Sequence, residues 1–298
     1  MSLDLLDRVD APTLKAMLPT FLGGYLIGPP VDAPGRAAVA AEVASWTADD
    51  AAAVLAHLRG LGQEPRPYPA DPRCRRVSRA WCLDAVPESD VVGVHHLDEA
   101  RAAGSVLLVC NHLSFVDTTA TDAALARAGR VDAADALVAL AGPQVYADLF
   151  RRFASACLST LPVPQSTRFE HTERLGAREL AALARSSLDQ CARVARSGGL
   201  PLLYAEGSRT RTGHMGPFLK AVYRYLACAD RVVPMAVVGT ERIMPVGATT
   251  LTPGAASIRF GPAVRIEDAR ADLARVHAAV AELLPPTHCP EAGCAPVA

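Results

Sequence analysis

The pattern of hydrophobic and polar residues divides the chain into two parts. Up to about residue 80 the apolar residues favour helices alone, as in the Ala- and Val-rich residues 36–46. Thr47 and Asp50 have the spacing of a capping box, which predicts a helix that runs from there to Gly60 and Gly62. From about residue 90, short apolar runs alternate with helical stretches. We therefore predict a small N-terminal helical domain followed by an α/β region.

Seven short apolar runs of the second part are strand candidates, and several contain no polar residue, as is typical of strands covered on both faces. These runs are Val91–His95, Ser105–Cys110, Ala136–Ala141, Leu158–Val163, Leu200–Ala205, Val232–Val238 and Ser257–Phe260. Helices are predicted between or after them at 115–128, 143–156, 172–196, 216–229 and 267–284. This order predicts an α/β fold with a central mixed sheet flanked by helices. The predicted domains are 1–80, 81–285 and a Pro- and Cys-containing tail at 286–298.

Two stretches of the N-terminal part leave alternatives open. Residues 16–31 carry no charge, but Pro and Gly interrupt them, and they are too short to span a membrane. They either lie at a membrane interface or form a buried connector of a helical domain. A Pro- and Arg-rich stretch at 64–79 is predicted to be a loop. Its basic cluster is either a solvated face or a contact for lipid headgroups, and consists of Arg73, Arg75, Arg76 and Arg79.

Composition narrows the class of protein. Half of the 298 residues are hydrophobic, 20% are charged and the formal net charge is −1, which fits a globular enzyme and not a strongly basic nucleic-acid binder. The acidic first residues do not resemble a secretory signal, and the eight cysteines include no C-x-x-C pair. We expect a cytoplasmic protein with reduced thiols. His288, Cys289 and Cys294 could be three zinc ligands, but they lack an evident fourth, so we expect no metal.

A histidine and an aspartate flank the junction between a predicted strand and a predicted helix. The strand at 105–110 runs into Asn111-His-Leu-Ser-Phe-Val-Asp117. The spacing of Ser114 and Asp117 places Ser114 at the helix N-cap and Asp117 in the first turn, within reach of His112. Asp117 would hold one imidazole nitrogen as N–H and leave the other free to accept a proton from a hydroxyl, as a general base does. The alternative is an aspartate that only caps the helix.

A second polar segment, Glu206-Gly-Ser-Arg209, follows the predicted strand at 200–205. Gly207 permits a close backbone approach, while Ser208 and Arg209 supply the hydroxyl and guanidinium that bind a phosphate or carboxylate. Glu206 could hold Arg209 in place. The chain has no G-x-G-x-x-G, P-loop or G-x-S-x-G motif, so dinucleotide, nucleoside triphosphate and serine-hydrolase chemistry lack their usual motifs.

These segments resemble the motifs of one family. Asn111–Asp117 is similar to the N-H-x-S-x-x-D block of the glycerolipid acyltransferases, the superfamily of lysophosphatidate and glycerol-3-phosphate acyltransferases. Glu206–Arg209 resembles the E-G-T-R block of that family, and the segments Gly216–Lys220 and Val233–Val238 follow in the same order. The resemblance covers about residues 91–265.

The resemblance implies acyl transfer from a thioester, either acyl-CoA or acyl carrier protein, to a lipid or other polar hydroxyl acceptor. His112 would deprotonate the hydroxyl and Asp117 would orient His112, with no bound cofactor, metal or covalent intermediate. The residues implied in substrate binding are Asn111, Ser114, Glu206, Gly207, Ser208, Arg209 and Lys220. An acyl-cysteine on Cys110 is a rival mechanism, although its side chain should point away from that of its sequence neighbour.

One position departs from the family. Gln165 stands where the family usually has an arginine that binds the phosphate of the acceptor. Either Arg168 compensates, or the acceptor is not a phosphate but an amino-lipid or a specialised metabolite. A catalytically silent lipid-binding protein is the alternative from another class. A weak peripheral contact with the inner membrane face through residues 16–31 also stays open.

Overall fold

Within the described residues, 4–30, 32–64, 66–164 and 176–289 of this computed structural model, eight strands form one sheet. The strands are β1 Glu88–Val92, β2 Val106–Cys110, β3 Leu137–Ala141, β4 Ser159–Pro162, β5 Leu200–Tyr204, β6 Arg231–Val238, β7 Ala255–Phe260 and β8 Val264–Arg265. Their order is β1-β7-β6-β2-β5-β3-β4, with β8 beside β6. The pairs β6–β7 and β6–β8 are antiparallel and the other pairs are parallel. The predicted central mixed sheet is confirmed.

Helices cover both faces of this sheet. They are α1 Asp4–Arg8, α2 Ala11–Gly23, α3 Pro34–Ala44, α4 Ala48–Gly60, α5 Pro72–Ala85, α6 Val94–Ala103, α7 Asp117–Arg127, α8 Val131–Ala136, α9 Leu149–Cys157, α10 Ala177–Arg196, α11 Tyr223–Leu226, α12 Thr240–Ile243 and α13 Ala269–Glu282. Short 3-10 helices span Pro143–Tyr146 and Lys220–Val222. The apolar residues of β2 are fully covered because one core cluster contains Leu107 and Val109 and another contains Leu108 and Cys110.

The parallel strands at the centre of the sheet determine where polar side chains meet. Cys110, the last residue of β2, is in register with Tyr204 of β5 and with Met235 of β6. Because parallel strands end at the same edge of a sheet, the residues that follow β2 and β5 lie next to each other there. Thr210 N–H donates a hydrogen bond to the His112 carbonyl, 2.9 Å away, which joins the two predicted motifs.

The N-terminal helices pack directly against the α/β region. Leu14 and Leu18 of α2 belong to the same core cluster as Val116 and Phe153, which lie next to α7 and in α9. A boundary between domains at residue 80 therefore stays a prediction. Among the described residues, no helix is both long and apolar enough to cross a membrane.

The stretch 16–31 is helical as far as Gly23, after which Leu26 forms an isolated bridge to Leu251. Its leucines are buried, as expected of a connector within a helical domain, whereas Met17 and Ile27 are exposed.

The predicted strand at 91–95 is wrong in its second half. Strand β1 ends at Val92, and Gly93 has a φ of +69° that starts α6, so His95 is helical. Any Cβ at Gly93 would lie 2.2 Å from the carbonyl oxygen of Phe260, which leaves room only for glycine. The predicted helix at 143–156 is a 3-10 turn followed by α9, because Asp148 caps a new helix there. The predicted helix at 216–229 is confined to 220–226.

The predicted loop at 64–79 is also wrong from residue 72 onwards. Helix α5 begins at Pro72, and the carboxylate of Asp71 accepts hydrogen bonds from the Arg73 and Cys74 N–H groups. All four arginines of the basic cluster are paired with carboxylates, mostly of other helices. The pairs are Arg73 with Asp50 and Asp71, Arg75 and Arg79 with Asp122 and Asp135, and Arg76 with Glu42. Contacts with carboxylates of neighbouring helices therefore account for Arg73, Arg75 and Arg79, whereas Arg76 is exposed as a solvated face requires; contact with lipid headgroups stays a prediction.

Candidate active site

The His112 side chain is bonded to the Asp117 carboxylate at the edge of the sheet. His112 Nδ1 lies 2.8 Å from Asp117 Oδ2, and the same oxygen accepts hydrogen bonds from the backbone N–H groups of Leu113 and Ser114 at 2.8 and 3.0 Å. Asp117 Oδ1 accepts a hydrogen bond of 2.5 Å from the Thr240 hydroxyl. Because Asp117 accepts from each of these other donors, we assign it as the acceptor from His112 as well, which places the imidazole proton on Nδ1. His112 Nε2 is then left with its lone pair, as a general base requires.

Exposure differs sharply between the two partners. The side chain of Asp117 is 1% exposed, whereas that of His112 is 19% exposed and can therefore meet a ligand from solvent. The Tyr204 ring at the end of β5 stacks on the imidazole, with centroids 4.2 Å apart. The Tyr204 hydroxyl shares a 2.7 Å hydrogen bond with the Thr118 hydroxyl. Burial raises the pKa of Tyr204 well above its ordinary value, so the phenol stays protonated and holds the ring in place.

The predicted N-cap role of Ser114 is wrong. Helix α7 has Val116 at its N-cap, and the Ser114 hydroxyl donates instead to the Met244 carbonyl, 2.8 Å away. The oxygen of this hydroxyl accepts a long hydrogen bond of 3.4 Å from the Val116 N–H, two residues on. The other half of the capping box is present, since Asp117 accepts from the Ser114 N–H.

Asn111 continues the ladder between β2 and β6 with its side chain. Its Nδ2 donates to the Val237 carbonyl and its Oδ1 accepts from the Val237 N–H, both at 2.9 Å. Both Asn111 and Ser114 are 0% exposed, so the structure places these two predicted substrate-binding residues beneath the surface of the site. They fix the turn that presents His112.

Cys110 is also 0% exposed, and its thiol donates to Asn111 Oδ1 at 3.4 Å. Burial raises the pKa of the Cys110 thiol well above its ordinary value. A thiol that stays protonated and covered is a poor nucleophile, which argues against an acyl-cysteine.

Glu206 connects the two motifs, but it does not hold Arg209 as predicted. Its Oε1 accepts from the His112 N–H at 2.8 Å, and its Oε2 accepts from the Gly216 N–H at 2.7 Å. Both oxygens are therefore bonded to backbone groups. Burial is the main cause that raises the pKa of Glu206 from 4.5 to about 7. Gly207 has a φ of +71°, and a Cβ there would lie 2.3 Å from Cδ1 of Leu219, so the close approach predicted for Gly207 is to this neighbouring segment.

The Arg209 guanidinium lies over the Phe115 ring, with Cζ 3.6 Å from the centroid. Among the described residues, its buried Nη1 has no hydrogen-bond partner. Burial, followed by the nearby charge of Arg151, lowers the pKa of Arg209. Ser208 and Lys220 are exposed. The positions of Gln165 and Arg168 lie outside the described residues.

Two concave regions adjoin the turn that contains His112. Phe115 and Thr118 line an apolar cavity of about 90 Å³ among α5, α7, α9 and the sheet, together with Trp81, Phe150 and Phe153. Leu113 borders a wider depression of about 440 Å³, which is formed by residues 210–213, 241 and 245–247. Both regions include residues of the turn after β2, although His112 itself lines neither of them.

The residues discussed as zinc ligands have other partners. His288 Nε2 lies 3.2 Å from Glu241 Oε1, and the Cys289 thiol donates to the Leu284 carbonyl at 3.7 Å. Cys294 lies outside the described residues. The expectation of no metal stays a prediction.

Sequence reasoning missed three residues next to the predicted ones. Tyr204 and Thr240 contact His112 and Asp117, and Arg151 lies next to Phe115, with its Cζ 4.3 Å from the ring centroid. The only signal for Tyr204 is its place at the end of an apolar run, directly before Ala205 and Glu206. Thr240 and Arg151 carry no local signal, since they reach the site from α12 and α9.

Comparisons with known proteins agree with the motifs. The family model described as Acyltransferase matches residues 91–238, about half of the chain, and these include His112, Asp117 and Arg209. A 1-acyl-sn-glycerol-3-phosphate acyltransferase of Brassica napus, BAT2, chloroplastic, is 34% identical over 62 residues, which span 20% of this chain and 18% of that protein. The crystal structure of the 1-acyl-sn-glycerophosphate (LPA) acyltransferase PlsC from Thermotoga maritima has 15% identity and a TM-score of 0.43, with 92% of this chain and 94% of that one covered. The family model and the ordered motifs show that this chain belongs to the acyltransferase family, within the glycerolipid acyltransferase superfamily that its sequence resembles.

Proposed function

We propose that this protein transfers a fatty acyl group from acyl-CoA or acyl carrier protein to a hydroxyl of a glycerolipid precursor, such as lysophosphatidate or glycerol-3-phosphate. The observation that carries the proposal is the 2.8 Å bond between His112 Nδ1 and the buried Asp117 carboxylate, which supports Nε2 of the partly exposed His112 side chain as the base. Membership of the acyltransferase family and the name of the Brassica relative support the reaction class.

In the proposed mechanism His112 Nε2 accepts the proton of the acceptor hydroxyl while the oxygen attacks the thioester carbonyl. A C–O bond forms, the C–S bond breaks, and the departing thiolate takes the proton back from Nε2. The products are an ester and a free thiol. Asp117 stabilises the imidazolium and keeps Nδ1 protonated, and the Tyr204 ring restricts rotation of the imidazole.

The apolar cavity next to Phe115 suits an acyl chain, because its lining is largely aromatic and aliphatic. Arg209 suits an anionic group of the acceptor, because a guanidinium binds phosphate through paired hydrogen bonds. We propose the exposed Met17 and Ile27 as a weak contact with a membrane surface for a protein located in the cytoplasm. Sedimentation with anionic vesicles tests this contact: Met17→Ser with Ile27→Ser should abolish it, and unchanged binding would contradict it.

The reaction is tested by mass spectrometry of products formed from acyl-CoA or acyl carrier protein with lysophosphatidate and glycerol-3-phosphate. We expect His112→Ala to lower turnover about 10²–10⁴-fold, the usual contribution of a general base. His96→Ala is the matched control, since this partly exposed histidine lies on α6, and it should leave turnover unchanged. Near-normal turnover of His112→Ala at neutral pH would contradict the role of His112.

A second candidate keeps the chemistry but uses an acceptor without phosphate, such as an amino-lipid or a specialised metabolite. It is favoured by Gln165, a neutral residue at the position where the family usually has an arginine. Under the phosphate alternative, Gln165→Arg should improve or preserve the use of lysophosphatidate, and Arg168→Ala should weaken it. Under the second candidate, Gln165→Arg should impair the native reaction, because it places an unpaired charge against a neutral group. A silent lipid-binding protein would form no product in either arm.

A further inference from the structure

Two guanidinium groups share the ring of Phe115, three residues after His112. The Cζ atoms of Arg209 and Arg151 lie 3.6 and 4.3 Å from its centroid. Because both distances are measured to the same point, the two Cζ atoms are at most about 8 Å apart. Arg209 follows β5 and Arg151 lies in the first turn of α9, so the fold, and no local motif, brings these cations together.

Positive charge is in excess at this place. Among the described residues, Arg151 has one ion pair, which joins its Nε to Asp148 Oδ2 at 3.0 Å, and its Nη1 donates to the Gln144 carbonyl at 3.3 Å. Arg209 has no ion pair among the described residues, and its Nη1 is buried without a partner. The charge of Asp117 acts on Arg209, but the oxygens of that carboxylate are bonded to other groups. Arg211 adds a further positive charge nearby.

An anion in contact with both guanidinium groups would supply the partner that Arg209 Nη1 lacks among the described residues. A buried guanidinium nitrogen without a hydrogen bond destabilises a protein, and two like charges on one ring repel each other. A phosphate has enough oxygens to accept paired hydrogen bonds from two guanidinium forks, whereas a carboxylate has only two oxygens to offer. The geometry therefore favours a phosphate.

We propose that Arg151 and Arg209 together bind the phosphate group of the acceptor, with the Phe115 ring holding both guanidinium groups in place. This inference rests on the proposed function and makes Arg151 a specificity-determining residue. Phe115 and Arg151 also line the apolar cavity, so the proposed phosphate site adjoins this apolar region. The phosphate could belong to a lipid or to free glycerol-3-phosphate.

Binding is measured by isothermal titration calorimetry in the absence of thioester, with lysophosphatidate, glycerol-3-phosphate and monoacylglycerol as probes. We expect Arg151→Gln and Arg209→Gln each to raise the Kd for both phosphate probes about 10- to 100-fold, as expected for the loss of a charged hydrogen-bond fork. Arg151→Lys should raise it less, because the charge remains and the fork is lost. Binding of monoacylglycerol should not change in any of these variants.

Two matched variants separate this role from a packing role. Arg76→Gln removes an arginine of α5 that pairs with Glu42 of α3, and this variant should leave every Kd unchanged. Asp148→Asn keeps a side chain that can cap α9 but removes the negative charge next to Arg151, and should leave phosphate binding equal or tighter.

The proposal is overturned if Arg151→Gln binds the phosphate probes as tightly as the wild type does. It is also overturned if this variant weakens the binding of monoacylglycerol as much as the binding of the phosphate probes. It is also overturned if the wild-type protein binds neither phosphate probe while it acylates a phosphate-free acceptor, a result that leaves the proposed acyl transfer intact. Conversely, undiminished turnover of His112→Ala would remove the proposed base and leave the binding measurements unaffected. Preference for lysophosphatidate over glycerol-3-phosphate would identify a lipid as the source of the phosphate.

Discussion

The turn after β2 and the segment after β5 meet at the same edge of the sheet, but they differ in how completely their polar groups are paired. In the first, Asn111 and Asp117 are buried and bonded through both of their side-chain polar atoms. In the second, Ser208 is exposed, and Arg209 has a buried nitrogen without a partner among the described residues. The buried side chains of the first region therefore find their hydrogen-bond partners within the protein. In the second region, among the described residues, Arg209 has a donor that a ligand could pair.

This difference suits the two tasks that we propose for these regions, proton transfer for the first and anion binding for the second. A base must hold its proton-accepting atom in a fixed position before substrate arrives, since reorganisation during the reaction would raise the barrier. A group that binds an anion gains most when the ligand supplies the hydrogen bonds that it lacks, since pairing a buried donor removes its desolvation cost. Glu206 links the two regions because it accepts from backbone N–H groups of both His112 and Gly216.

The largest effect is expected for Asp117→Asn, which disrupts the paired region at its centre. In the wild type, both carboxylate oxygens accept hydrogen bonds from N–H and O–H donors. The amide of asparagine has only one acceptor oxygen, and its NH₂ group would face donors instead of acceptors. We expect kcat to fall about 10²–10⁴-fold, because His112 loses the partner that holds Nδ1–H. Steady-state kinetics measures this effect, and Asp98→Asn, a partly exposed residue of α6 that pairs with Arg130, is the control. An active Asp117→Asn variant would show that Asp117 serves only the helix.

Those parts of the fold that depend on local pattern could be predicted from the sequence. Strands β2, β5 and β6 are covered by helices on both faces, so each is an apolar run, apart from Arg231 at the start of β6. Strand β1 alternates exposed and half-buried residues and begins with acidic and polar residues, so it does not form an apolar run. The predicted strand therefore starts too late and extends into α6. Helix α5 was missed because arginines suggest a loop, although Asp122 and Asp135, more than forty residues away, neutralise them.

In the site too, a local pattern in the sequence reveals only those residues that are close together along the chain. His112 and Asp117 are five positions apart on one strand-to-helix turn, so a local pattern contains both. The partners Thr240 and Arg151 come from other elements, and nothing in a local pattern connects them with His112. Glu206 was placed next to Arg209 because the two are neighbours in sequence, while the fold brings the N–H groups of His112 and Gly216 closer.

The next effect tests whether Asn111 shapes the turn or touches substrate. Asn111→Ala leaves the Val237 N–H and carbonyl without their side-chain partners in a fully buried place. We expect the free energy of unfolding to fall by about 2–4 kcal/mol, the loss for two buried groups, as measured by urea denaturation. Asn111→Asp should lose less free energy of unfolding at low pH, because a protonated carboxyl can accept from the Val237 N–H and donate to the Val237 carbonyl. A raised KM with unchanged stability would instead identify Asn111 as a substrate ligand.

Glu206, which links the two regions, makes the stability of the protein depend on pH. In the unfolded chain it loses its proton near its ordinary pKa of 4.5, but in the folded protein only near a pKa of about 7. Between these values the folded state binds more protons, so the free energy of unfolding decreases as pH rises through this window. The decrease should be about 2–3 kcal/mol, given about 1.4 kcal/mol per pKa unit. Urea denaturation at pH 5 and pH 8 measures it, and the difference should shrink in Glu206→Gln; an unchanged difference would assign the pH dependence to other groups.

The smallest effect is expected for Thr240→Val, which removes the donor to Asp117 Oδ1 without changing the shape of the side chain much. Thr240 is 0% exposed and does not reach a ligand, so it acts as a positioning residue through Asp117. Because Asp117 Oδ2 still binds His112 and two backbone N–H groups, the base should stay near its place. We expect kcat to fall up to about tenfold, the lower end of the scale of one hydrogen bond to a charged group, with the acceptor KM unchanged. Thr240→Ser, which restores the hydroxyl, should recover most of the rate. If Thr240→Ser is as slow as Thr240→Val, the methyl group and not the hydrogen bond matters, and the paired region is held by packing instead.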